Sequence, residues 1–109
     1  MKLDTDKLGT EIAAAIKGVF SDEWPEIREY AQAEANKLAQ TLAMIEALKA
    51  AGKINEQQAE LHLQIQKNAM RSVLLTLEGL GMLAVENAIN AALLVVKDTV
   101  NTALGFRLI

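Results

Sequence analysis

The most apolar stretch of the chain is residues 76–96, TLEGLGMLAVENAINAALLVV. It is long enough to cross a bilayer, which takes about 20 apolar residues on a helix. However, Glu86 falls near its centre, and Glu78, Asn87 and Asn90 add further polar groups. A charge at mid-bilayer costs about 3 kcal/mol on insertion scales, whereas each Leu or Val returns only about 0.3–0.6 kcal/mol. The stretch therefore predicts a helix buried in protein, and a membrane location is disfavoured.

When placed on a helix, this region separates into two apolar stripes. A stripe of mostly small residues contains Val73, Leu77, Gly81, Ala84, Ala88, Ala91 and Val95. A bulkier ridge contains Leu75, Met82, Val85, Ile89, Leu93 and Val96. Small residues let another helix approach closely, so the first stripe is the predicted oligomer interface. Two stripes need two partners, and a symmetric dimer with a four-helix centre is the simplest assembly that supplies both.

The rest of the chain also has the pattern of helices, because no segment shows the two-residue alternation of a strand. The spacing predicts a short N-terminal helix over 6–19 and a second helix over about 22–51. Pro25 is tolerated in the first turn of the second helix, where amide hydrogens have no intrahelical partner. A third helix is predicted over about 55–104, with a kink or a division allowed at 79–81.

The segment ALKAAGKINEQQ marks the turn between the second and third helices. Gly52 suits the left-handed position after a helix, and Asn55 with Gln58 forms a capping box. So short a connection predicts that the two helices lie antiparallel. The predicted fold is all-α: an antiparallel helical hairpin with a short N-terminal helix, in one domain spanning 1–109, that assembles as a helical-bundle oligomer.

Composition narrows the classes of function. The chain has no cysteine, which excludes disulfides, thiolate nucleophiles and Cys-ligated zinc, and fits a reducing compartment. Its formal net charge is −3 and its basic residues are scattered, so we expect no nucleic-acid partner. Charged residues interrupt the first 20 positions, which is unlike a signal peptide. We therefore expect a cytoplasmic protein.

Glu34 is the polar residue that most invites a chemical interpretation. It falls between Ala31 and Leu38 on the inner side of the second helix. A buried carboxylate must be paired, hydrogen-bonded or bound to a metal. The antiparallel register places it near the third helix, where Arg71 or Asn68 is the predicted partner.

The alternative for Glu34 is a carboxylate metal site, with Glu46 and His62 as the other candidates. Ferritin-like bundles use Glu-x-x-His on one helix, but Glu60 and His62 are two apart and diverge by about 200° around a helix. Glu46 is predicted on the outer side of the second helix. The pattern therefore favours no metal and no cofactor.

No nucleophile–base arrangement or phosphate-binding loop is evident in the sequence. We expect a non-enzymatic protein that self-associates through its long C-terminal helix, as a dimer, with a structural or regulatory interaction role. The alternatives are a ferritin-like carboxylate metal-binding bundle and a small membrane-active, holin-like protein. The tail LGFRLI carries Phe106, Leu108 and Ile109, and it is predicted to pack onto its own bundle or to engage a protein partner.

Overall fold

The computed structural model describes residues 2–109, and all the regular structure in this range is helical. The helices are α1 (Thr5–Val19), α2 (Trp24–Ala50), α3 (Glu56–Leu75) and α4 (Met82–Leu104). They pack as a bundle around one apolar core, with α1 against both α2 and α4, and with α2 against α3. The contact between α3 and α4 is less extensive. The all-α prediction is confirmed.

Helix α1 begins at a side-chain cap and packs closely on α2. The Asp4 carboxylate accepts the backbone N–H groups of Asp6 and Lys7, which satisfies two donors that have no intrahelical partner. Ile12 and Ile16 point into the core from one face. At Gly9 the two helices approach so closely that an added Cβ would lie 2.7 Å from Oδ1 of Asn36 on α2.

Residues 51–55 connect α2 to α3 with local hydrogen bonds. Gly52 has a φ of 70°, in the left-handed region that favours glycine, and Lys53 N–H donates to Leu48 O at 2.9 Å. Asn55 and Gln58 each accept the backbone N–H of the other, as a reciprocal capping box. Both ends of this short connection therefore have satisfied backbone groups.

The segment predicted as a third helix over about 55–104, with a kink or a division allowed at 79–81, is divided into α3 and α4 by residues 76–81. The Thr76 side chain donates to Val73 O at 2.6 Å, which competes with continuation of the helix. Gly79 then takes a φ of 88°, a left-handed conformation that ends α-helical progress. Glycine suits this position because it has no Cβ and therefore adopts a positive φ without the steric cost that other residues meet.

Because the chain reverses at this turn, α4 lies on its own bundle and does not extend beyond it. Most of the bulky ridge predicted from the sequence is buried in the core of the chain. Val85, Ile89 and Val96 are fully buried there, as is Val100. One of the two apolar faces that seemed to require a second subunit is thus covered within the chain. Within residues 2–109, no helix is long and apolar enough to span a membrane.

Candidate interaction and binding surfaces

The seven residues of the predicted oligomer interface do not share one exposed face. Ala88 is fully buried in the core of its own chain. The side chains of Val73, Leu77, Ala84 and Ala91 are partly buried, whereas Gly81 and Val95 are exposed. The stripe therefore runs from the surface into the bundle. Ala88 packs in the core of its own chain and is not exposed to a second copy.

A different row of α4 residues faces outward. Leu83 and Leu94 are 76% and 70% exposed, and Asn87 and Asn90 lie between them, also exposed. Their spacing of four, three and four residues aligns them along one side of a helix. Ala91 and Val95 lie beside this row. We call Leu83, Asn87, Asn90, Ala91, Leu94 and Val95 the α4 outer face, and no member of it is charged.

Dividing the residues of this region into apolar stripes and polar groups does not reveal the α4 outer face. Asn87 and Asn90 count in the sequence pattern only as polar groups, and Leu83 and Leu94 belong to neither predicted apolar stripe. The available signal was the common angular position of these four residues on the helix. The burial of Val85, Ile89 and Val96 then leaves the opposite side of α4 to face outward.

A smaller apolar patch lies on the outer side of α3. Leu61 and Ile65, one helical turn apart, are 63% and 66% exposed. Gln57, Gln64 and Asn68 are exposed around them. This patch has two large apolar side chains on two successive turns, whereas the α4 outer face extends over three turns.

Glu34 is buried as predicted, but its partner differs from the prediction. Its Oε2 accepts a hydrogen bond from Lys37 Nζ at 3.1 Å on the same helix, and its Oε1 has no hydrogen-bond partner. Arg71 instead binds Glu86, and its Nη1 donates to Asn68 Oδ1 at 2.7 Å. The predicted Glu34–Arg71 and Glu34–Asn68 pairs are wrong because the turn at 76–81 brings Glu86 to Arg71.

The Arg71–Glu86 pair alters the ionisation of both groups. The hydrogen bond from Arg71 lowers the pKa of the Glu86 carboxyl below its ordinary value, and the positive charges of Arg71 and Lys67 act in the same direction. The hydrogen bond to Glu86 raises the pKa of Arg71. Both groups therefore stay charged around neutral pH, and the negative charge of Glu86 is paired with Arg71 on α3.

Glu46 lies on the inside of the bundle, which corrects the prediction that it faces outward. The N-terminal residues cross α2 there: Leu3 is buried, and its backbone N–H donates to Glu46 Oε1 at 2.6 Å. Glu34 and Glu46 are about 18 Å apart along the axis of α2 at 1.5 Å per residue. His62 is partly buried on α3. Across residues 2–109, no three His, Cys, Asp or Glu side chains form a group that could hold a metal ion.

The C-terminal tail docks onto its own bundle, which is one of the two arrangements expected for it. Gly105 ends α4 with a φ of 77°, and Phe106, Leu108 and Ile109 pack against the core. Asn101 Oδ1 accepts the backbone N–H groups of Leu108 at 2.9 Å and Ile109 at 3.1 Å. Binding of a protein partner at this tail stays a prediction.

An open pocket of about 430 Å³ lies between α1 and α2. The residues that line it are Gly9, Thr10, Ala13, Ala14, Lys17, Trp24, Arg28, Gln32 and Asn36. Its volume is within the range of small-molecule sites, about 300–1,000 Å³. Lys17 and Arg28 are the charged residues of this lining, and both are positive. The spacing of these residues along the chain does not predict the pocket, because they belong to two separate helices.

Comparisons of the chain with protein-family models, with curated proteins and with solved structures give no significant match.

Proposed function

We propose that this chain is a non-enzymatic helical protein that self-associates through α4 and serves a structural or regulatory interaction. The observation that carries the proposal is the α4 outer face, which exposes Leu83 and Leu94 on a helix whose other side is buried. Burying an exposed leucine contributes about 1.5–3 kcal/mol, so a symmetric contact that covers both leucines in both copies has a substantial driving force.

A second copy of the chain is the occupant that fits this face best. The chain as a whole has a formal net charge of −3, but the six residues of this face are uncharged. The next residue of the row, Asp98, is exposed one turn beyond Leu94, at the edge of the face, so two copies can meet at its centre without placing like charges in contact. Asn87 and Asn90 each carry a donor and an acceptor, so an asparagine can hydrogen-bond to another asparagine. A face with these properties is complementary to itself.

The spacing along α4 also suits a two-fold axis. In a two-fold contact, residue i meets residue j and residue j meets residue i. If two α4 helices pack antiparallel about a midpoint between residues 88 and 89, Leu83 lies opposite Leu94 of the second copy, and Asn87 lies opposite Asn90. Each apolar side chain then meets an apolar one, and each amide meets an amide.

The proposed assembly is a dimer of bundles, in which α2 and α3 form an antiparallel hairpin within each copy. The Thr41 Oγ1 hydrogen bond to Gln66 Oε1, 3.1 Å long, supports the hairpin register, since these residues are nearly equidistant from the 51–55 connection. The four-helix centre of the sequence-based expectation is replaced by one α4–α4 contact. A cytoplasmic location remains part of the proposal, because the chain contains no cysteine.

Two matched substitutions test the proposal. Leu94→Glu places a charge on the α4 outer face, and Leu61→Glu makes the same change on the exposed α3 patch, at 63% exposure. We expect light scattering to show a dimer for the unmodified chain and for Leu61→Glu, and a monomer for Leu94→Glu. Far-ultraviolet circular dichroism should show equal helix content in all three. Dissociation by Leu61→Glu but not by Leu94→Glu would place the interface on α3 and overturn the proposal.

A further inference from the structure

The α1–α2 pocket has two positive charges with no counter-ion from the protein. Neither Lys17 nor Arg28 has a carboxylate within 4.0 Å, and the ion pairs formed by residues 2–109 are Lys37–Glu34 and Arg71–Glu86. Glu26 and Glu29 line a neighbouring groove with Arg28 but do not line this pocket. In a chain with a net charge of −3, a pocket whose charged residues are both cationic favours an anion.

The other lining residues supply hydrogen-bonding groups and a flat apolar wall. Gln32 and Asn36 are exposed on successive turns of α2, and each amide carries two donors and an acceptor. Trp24 is partly buried and lines the same pocket, so its ring offers a surface for a planar group. Ala13 and Ala14 line the α1 side of the pocket with small side chains, and at its closed end Gly9 makes room for the Asn36 amide.

We propose that this pocket binds a phosphate monoester attached to a planar ring, a ligand of the nucleoside monophosphate class. A phosphate monoester near neutral pH carries close to two negative charges, which match Lys17 and Arg28. The guanidinium of Arg28 donates to two phosphate oxygens, Lys17 supplies the second charge, and the ring stacks on Trp24. No residue of the α4 outer face lines the pocket, so this binding does not depend on self-association.

Trp24 is the only tryptophan of the chain, so its fluorescence reports on this pocket alone. The probes are adenosine monophosphate, adenosine and inorganic phosphate, each titrated at low and at high salt. We expect adenosine monophosphate to change the Trp24 fluorescence in a saturable way, with an affinity that falls at high salt. Adenosine and inorganic phosphate should bind more weakly, because adenosine lacks the phosphate and inorganic phosphate lacks the planar ring.

Four variants separate specific binding from general charge attraction. Arg28→Gln and Lys17→Gln each remove a charge-assisted contact, and we expect each to weaken adenosine monophosphate binding by about tenfold. Lys53→Gln and Arg107→Gln remove the same charge at exposed positions outside the pocket, and the affinity should not change. No saturable response at millimolar adenosine monophosphate would overturn the proposal, as would equal weakening by all four variants.

Discussion

Arg71 on α3 and Glu86 on α4 form a two-point ion pair across the turn at 76–81. Nε of Arg71 donates to Oε1 of Glu86, and Nη2 donates to Oε2 at 3.2 Å. This pair joins two helices that contact each other less extensively than α1 contacts α2 or α4, or than α2 contacts α3. It also turns the Glu86 carboxylate toward α3, so the α4 outer face is left without charge.

The pair predicts a pH-dependent contribution to stability. Because Arg71 lowers the folded-state pKa of Glu86 below its ordinary value of 4.5, the stabilisation is fully present above pH 4.5 and is lost as the pH falls through the lowered value. We expect Glu86→Gln to reduce the melting temperature at pH 7, and this difference from the unmodified chain to shrink below pH 4.5. Thermal unfolding followed by circular dichroism at a series of pH values measures it.

Glu78→Gln is the control for this experiment, because Glu78 is exposed nearby and forms no ion pair within 4.0 Å. High salt should also reduce the effect of Glu86→Gln, since the Arg71–Glu86 pair is accessible to solvent. A destabilisation by Glu86→Gln that is the same at every pH would contradict the assigned role of the pair.

The turn at 76–81 contains two glycines, Gly79 and Gly81, that differ in the sign of φ and so test the effect of backbone conformation. Gly79 has a φ of 88° and Gly81 has a φ of −85°, and an added Cβ would meet no atom within 4 Å at either position. Gly79→Ala should therefore reduce the free energy of unfolding by about 1–2 kcal/mol through backbone strain alone. Gly81 is the N-cap of α4, where alanine is less favourable than glycine, but alanine also reduces the entropy of the unfolded chain, so Gly81→Ala should change the free energy of unfolding by less than about 0.5 kcal/mol. Urea denaturation measures both, and equal effects would show that Gly79 is not held in the left-handed conformation.

The side chain of Asn101 makes three hydrogen bonds to the docked tail. Asn101 accepts two backbone N–H groups of the tail and donates to Ile109 O at 3.2 Å. Asn101→Ala removes all three bonds, and we expect the Leu108 and Ile109 amides to exchange with solvent about tenfold faster. Amide exchange by nuclear magnetic resonance measures this. Thr102→Ala, at an exposed neighbouring position, should leave both rates unchanged, and unchanged rates in Asn101→Ala would contradict the docking.

The sequence predicted the helical class from local signals. Gly52, Asn55 and Gln58 act within a few residues, so their pattern is readable without knowledge of the fold, and all three have the expected conformations or hydrogen bonds. The break between α3 and α4 was harder to predict. Gly79 was visible as a candidate, but a glycine within an apolar run is also compatible with a kinked helix.

The partners of Glu46 and Arg71 could not be predicted, because each depends on a distant part of the chain. Glu46 is held by the backbone of Leu3, 43 residues away, and no side-chain pattern encodes a bond to a backbone amide. The register from the Gly52 turn alone predicts Arg71 as the partner of Glu34, because it does not include the reversal at 76–81. Once that reversal is known, Glu86 becomes a nearer partner.

Dimer formation through the α4 outer face is tested most directly by sedimentation equilibrium of the unmodified protein over a range of concentrations. We predict a mass that rises with concentration to twice the 11.8 kDa of one chain and then stays constant, since a two-fold contact closes on itself. A mass of one chain at every concentration, or a mass that continues to rise beyond two chains, would contradict the claim.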